Sequence, residues 1–348
     1  MYSDTFQRIT ILRYLMIVGI VFLHTPPYVP VVEVGSGLFD QIKAFFQNAA
    51  FRATVPVLTV ISGYLLFRAG LDMNWKMLAQ KKARTILIPF LVFNLGLLAV
   101  AYCMQRWLGI STSYQLIPFK EDVWINAAFG LTAAPINYPL NFLRDLLAVM
   151  ILAPLMGILL RRVPWLGLLL VIGVFFFNLD GRFVLRDVMP IMFYIGGMAA
   201  VMKWNLQALD RFSWLFLIAF VISCFVIVHF RIANTNYFRF LAPFLIWPAT
   251  ALLTGNALGA WIEKHSKYSF FIFVAHAPVL LVLSMAYQKM GKSIPYPVYW
   301  VCAPVIVVII LTNIYRFLVR FAPVPFLSAI GSKPISREKS EQASSVRA

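Results

Sequence analysis

The chain has 348 residues, of which 61% are hydrophobic and only 12% charged, and its mean hydropathy is +0.82. Soluble domains carry roughly 45–50% apolar and about 25% charged residues, so this composition excludes an ordinary soluble globule and indicates an integral membrane protein. A formal charge of +17 would point to nucleic acid in a soluble chain. In a membrane protein basic residues mark cytoplasmic loops, and no nucleic-acid partner is expected.

Taken in order, the hydropathy gives ten candidate spans: about 9–30, 48–67, 86–106, 140–160, 164–179, 188–203, 212–230, 240–259, 269–288 and 297–318. The expected fold is therefore all-α, a polytopic membrane helix bundle over residues 1–330, followed by a disordered polar tail, 331–348. The first run, RITILRYLMIVGIVFLH, holds Arg13 and His24. Eleven residues separate them, about three helical turns and about 16 Å of rise, so they share a face. The run lacks a small-residue cleavage site and does not read as a signal peptide.

In the second span, FRATVPVLTVISGYLLFR, Arg52 opens the helix, Pro56 removes one backbone bond, and Ser62-Gly63-Tyr64 lies further along. At 100° per residue Arg52, Thr59 and Ser62 share one side. Lys81, Lys82 and Arg84 follow in a basic segment, and VWINAAFGLTAA (123–134) reads as an interfacial amphipathic piece. The fourth span opens with NYPLNFLRDLLAV, where Asn137, Asn141, Arg144 and Asp145 form a polar stripe. Arg144 and Asp145 point about 100° apart and need not pair. The fifth and sixth spans are short, suiting tilted or re-entrant pieces. The ninth contains YSFFIFVAHAPVL and sets His276 inside the span.

Ten crossings put both termini on one side. With the amino terminus in the cytoplasm, most Lys and Arg fall inside, among them Arg8, Arg13, Arg68, Lys81, Lys82, Arg84, Arg161 and Arg162. That orientation leaves Arg52, Arg144, Arg182, Arg186, Arg231 and Arg239 at or near the outer face, where the charge rule gives no reason for them. An acidic glycan, a sugar pyrophosphate or the carboxylate of a succinyl group would account for them, as would lipid head groups. Cys103, Cys224 and Cys302 lie inside apolar runs, and neither they nor the histidines show metal-ligand spacing.

The Arg–ten residues–His spacing of Arg13 and His24, the RATVPVLTVISGYLL helix, NFLRDLLAV and YSFFIFVAHAPVL together resemble the acyltransferase-3 family of membrane O-acyltransferases. Where the family commonly carries a Trp in its NFLRDLLAV-like element, this chain has Asn141. The resemblance implies an inner-membrane enzyme that takes an acetyl or succinyl group from cytoplasmic acyl-CoA, a co-substrate rather than a bound cofactor. The acceptor would be a hydroxyl of an envelope polysaccharide or lipid-linked sugar. Acyl transfer needs a base, phosphate-binding cations and oxyanion donors. His24 is the candidate base, with an acyl-histidine intermediate as a variant. Arg13, Lys81, Lys82 and Arg84 are candidates for the CoA phosphates. Arg52, Ser62, Tyr64, Arg144, Asp145 and His276 are candidates to line the acyl and acceptor cavity. The competing reading is a transporter or flippase for an anionic lipid-linked sugar or organic acid, supported by the same arginines and short spans.

Overall fold

The computed structural model describes residues 2–181, 183–291 and 293–332. Among them there is no strand, and the chain folds as an all-helical bundle. Six helices are long and apolar enough to cross a membrane. They are α1 (Tyr2–Leu23, its span Asp4–Leu23), α2 (Leu38–Arg68), α3 (Trp75–Leu108), α9 (Asp210–His229), α11 (Ala257–Lys289) and α12 (Tyr296–Phe321). Between them run α4 (Glu121–Phe129), α5 (Tyr138–Ile151), α6 (Ala153–Arg162), α7 (Pro164–Phe176), α8 (Val188–Val201) and α10 (Asn236–Ala249). A short α13 (Pro323–Ala329) closes the described chain.

The expected span at 140–160 is two helices, α5 and α6, bent by 56°. Pro154 explains the break, because it has no N–H and its ring collides with the carbonyl four residues back. The expected span at 240–259 is likewise a 14-residue helix with Pro243 and Pro248 inside it, ended by a 3₁₀ turn and by Gly255 at φ 75°. The short spans at 164–179 and 188–203 are helices of 13 and 14 residues. The interfacial piece forms α4 over Glu121–Phe129. The predicted tail lies outside the described residues apart from Gly331 and Ser332.

α8 is short but central. It is apolar on every side, and Met189, Phe193, Tyr194 and Met198 are fully buried, as expected of a helix enclosed by protein. α2 crosses it backbone to backbone. A methyl group on Gly63 would lie 2.1 Å from the Phe193 carbonyl oxygen, and one on Gly196 2.1 Å from that of Val60. Small residues at this crossing let the two helices approach closely, which is how helices associate without a hydrophobic drive between them. The same crossing fixes Arg52, midway along α2, relative to Arg186, which directly precedes α8.

Candidate active site

His24 sits one residue past the end of α1. The last carbonyls of a helix have no partners within it, and Gln47 supplies one: its Nε2 donates to Phe22 (3.1 Å), Leu23 (3.3 Å) and Thr25 (2.8 Å). Gln47 comes from a π turn, Phe45–Ala49, followed by a 3₁₀ turn, Ala50–Ala53, which interrupt α2 just where Arg52 is placed. The His24 ring lies in nearly the same plane as that of His276 (6°, centroids 5.3 Å apart), and the edge of Tyr138 packs against it at 4.8 Å.

The hydrogen bonds assign the protons. His276 is fully buried, and its Nδ1 lies 2.7 Å from the Phe273 carbonyl and 3.2 Å from that of Ile272. Carbonyls only accept, so a neutral His276 carries its hydrogen on Nδ1 and holds a lone pair on Nε2. That Nε2 is 3.0 Å from His24 Nδ1, which must therefore donate. The lone pair of a neutral His24 is left on Nε2, the nitrogen a base would use.

The position of His276 rests on a repaired helix. Pro278 offers no N–H to the carbonyl of Val274, four residues earlier in α11. Asn137 Nδ2 donates to that oxygen instead, at 3.1 Å, while its own N–H donates to Asn94 Oδ1 at 3.0 Å. Asn94 Nδ2 then donates to the carbonyls of Ala127 and Ala128. One chain of buried amides so joins α3, α4, α5 and α11 behind the histidine pair.

His24 lines a cavity of about 320 Å³ together with Arg52, Arg186, Asp187 and Arg239. The Arg52 guanidinium stacks on Tyr28 at 4.9 Å, and Arg239 Nη1 donates to Asn236 Oδ1 at 3.2 Å. Arg186 Nη1 is buried without a hydrogen-bond partner. Two expected lining residues turn elsewhere. Arg144 pairs with Asp145 after all, at 2.9 Å, because its long side chain curls back across the step between them. It also donates to the carbonyls of Phe183 (2.6 Å) and Leu131 (2.9 Å). Asp145 is fully buried and accepts the Leu185 N–H at 3.1 Å, so it orients neither imidazole. Arg231 donates to the Val32 carbonyl, and Arg182 lies outside the described residues.

A second cavity, of about 390 Å³, is lined by Arg13, Ser62 and Lys82. It shares two walls with the first: Phe142 and Phe273 line both, their rings edge to face with centroids 5.8 Å apart. Lys81 is exposed outside this cavity, and Arg84 donates to the Ser332 carbonyl at 3.0 Å. Tyr64 accepts from Arg68 Nη1 at 2.7 Å and lines a third, apolar cavity against α8 and α10. The face expected to run from Arg52 to Ser62 is thus divided between two cavities by an aromatic partition. Gln47 and Tyr138 carry no such role in the sequence reading. The single signal for the first was an amide inside an apolar run.

The Acyltransferase domain family model (Acyl_transf_3) matches residues 6–316. The chain belongs to the acyltransferase-3 family. It is also 31% identical over 355 aligned positions to the succinoglycan biosynthesis protein ExoH of Rhizobium meliloti (strain 1021), covering 98% of this chain and 96% of that protein. No solved structure matches. The protein is accordingly a multi-pass membrane acyltransferase. The matched region contains Arg13, His24, Arg52 and His276, and so spans both cavities and the histidine pair.

Proposed function

We propose that this acyltransferase moves an acetyl or succinyl group from cytoplasmic acyl-CoA onto a hydroxyl of an exported polysaccharide or lipid-linked sugar, with His24 as general base. The observation that carries the reading is the proton order of the histidine pair, which leaves His24 Nε2 basic beside a cavity large enough for a sugar unit. The acceptor hydroxyl gives its proton to Nε2 as its oxygen attacks the thioester carbonyl carbon. The carbon–sulfur bond then breaks, and the imidazolium returns the proton to the leaving thiolate, giving an ester and free CoA thiol. Throughout, Nδ1–H stays bonded to His276.

CoA enters from the Arg13 and Lys82 cavity, where the two cations meet its phosphates, and the thioester passes Phe142 and Phe273 to reach His24. ExoH, by its name a succinoglycan biosynthesis protein, supports a polysaccharide acceptor. The site is the inner membrane, with both termini in the cytoplasm and ten crossings. In that count the six long helices and the bent α5–α6 pair give up to seven crossings, and the shorter α7, α8 and α10 would make up the rest. A 13-residue helix spans about 20 Å against an apolar core of about 30 Å, so the short crossings depend on neighbours that enclose their ends.

The test is release of CoA thiol from acetyl-CoA and succinyl-CoA by purified protein in detergent, with water in place of the acceptor. Release with either donor, lost in His24→Ala, supports the reading and names the acyl group. Uptake of an anionic sugar or organic acid with no thiol release would replace it with a transporter.

A further inference from the structure

Three guanidiniums converge where the cavity beside His24 offers them little. Arg52, Arg186 and Arg239 line it with one carboxylate, that of Asp187. Among the described residues none of the three arginines has a carboxylate within 4.0 Å. Arg186 keeps one buried nitrogen without a partner. Asp145, the acidic group behind Arg186, is already held by Arg144 and by the Leu185 N–H. Setting Asp145 wholly against Arg186 would still leave Arg52 and Arg239 facing Asp187 alone. Elsewhere the bundle pairs the buried Arg8 directly with Asp4 (2.9 Å) and Asp210 (2.5 Å), gives the buried Asp72 a partner in Arg161 (2.6 Å), and bonds the buried Lys43 to the Pro27 carbonyl (2.7 Å). Burying a charge without its partner is expensive, so a cluster of this kind is retained for a ligand that supplies the missing anion.

We infer that the His24 cavity is a carboxylate site, and that the substrate held beside His24 carries a carboxylate bound by Arg52, Arg186 and Arg239. A planar guanidinium and a carboxylate match through two parallel hydrogen bonds, and three such groups around one cavity fix both position and charge. The inference rests on the acyl-transfer reading for the source of that carboxylate, which has two candidates. One is the far end of the acyl chain, which extends past the thioester carbonyl and away from the Arg13 cavity. The other is an acidic sugar of the acceptor.

Binding separates this inference from catalysis. Full-length His24→Ala protein in detergent keeps all three arginines and has no base, so ligands stay intact during titration. One arm compares succinyl-CoA with butyryl-CoA, which has the same chain length but a methyl in place of the carboxylate. The other compares a glucuronate-containing oligosaccharide with its glucose counterpart. Tenfold or greater preference for the carboxylated member in one arm, reduced to twofold or less by Arg186→Met, supports the site, and the arm names the source. Arg52→Met serves as a second variant where Arg186→Met does not fold. Less than a twofold preference in both arms overturns the inference and leaves the arginines to lipid phosphates. Loss of thiol release by wild type with every donor, alongside an intact carboxylate preference, would instead sink the His24 base and leave this site standing.

Discussion

The two cavities that meet at Phe142 and Phe273 hold their cations differently. In the one beside His24, Arg52 is stacked on Tyr28, Arg239 is bonded to Asn236, and Arg186 buries one nitrogen. Arg52 and Arg239 are held before any ligand arrives, so little of their rotamer freedom is lost on binding. In the other, Arg13 is exposed, makes no hydrogen bond among the described residues, and shares its cavity with Lys82. On the proposed reading, cations without a fixed partner suit the phosphates of a large donor, which needs attraction more than exact placement. On the proposed reading, the comparison teaches that charge near the reacting bond is built into the fold, whereas charge for donor capture is left loose.

Breaking the comparison at its centre gives the largest effect. His24→Ala should lower turnover by about 10³-fold, the range expected for a lost general base. The KM for the acyl-CoA should stay within about twofold, since the Arg13 cavity is intact. Initial rates of thiol release across donor concentration measure both. A large rise in KM with unchanged kcat would make His24 a binding residue.

The next effect tests the orienting bond. His276→Ala removes the acceptor for His24 Nδ1–H and should cost about 10²-fold in kcat, because the two His24 tautomers then compete for the site. His276→Gln places an amide oxygen near the same point and should recover much of the loss. A structural role alone predicts no such rescue. Nitrogen NMR of labelled histidine in wild type should show one tautomer at His24, and a mixture there would remove His276 from the mechanism.

A smaller change belongs to the Arg13 cavity. Arg13→Ala should raise the KM for acyl-CoA about tenfold, the worth of one charged hydrogen bond, with kcat nearly unchanged. Arg13→Lys should fall between the two. If dephospho-CoA donors show the same penalty as CoA donors in every variant, contact with the 3′-phosphate is ruled out and the pyrophosphate remains.

How much of this was legible beforehand depended on whether a property lives within one helix or between two. Arg13, His24 and His276 stand out in a sequence because ionisable groups at membrane depth are costly. Their division of labour did not, because no spacing rule joins α1 to α11. The pairing of Arg144 with Asp145 stays open in the sequence for a related reason: Cα directions on a helix ignore how far an arginine reaches. Hydropathy marked residues 140–160 as apolar and was blind to direction, so the 56° bend escaped it although Pro154 was in view. The six outer arginines raised the question of an anion. Only the fold divided them, sending Arg144 and Arg231 to backbone carbonyls and bringing Arg52, Arg186 and Arg239 to one cavity.

The smallest expected effect concerns the frame of the His24 cavity. Asn137→Asp keeps the size of the side chain but replaces its donor with an acceptor, so the Val274 carbonyl left open by Pro278 faces a second oxygen. A buried carbonyl without a partner costs about 1–3 kcal/mol, and that loss should appear as a lower thermal midpoint in detergent. Turnover per folded molecule should change far less than in His276→Ala, because the Phe273 and Ile272 carbonyls still hold the His276 ring. Asn137→Ala should destabilise by a similar amount. A wild-type midpoint for both variants would show that water satisfies Val274 as well as Asn137 does. The buried amide chain would then be packing around the site rather than support for it, and the rigidity contrasted with the Arg13 cavity would have to come from the α2–α8 crossing alone.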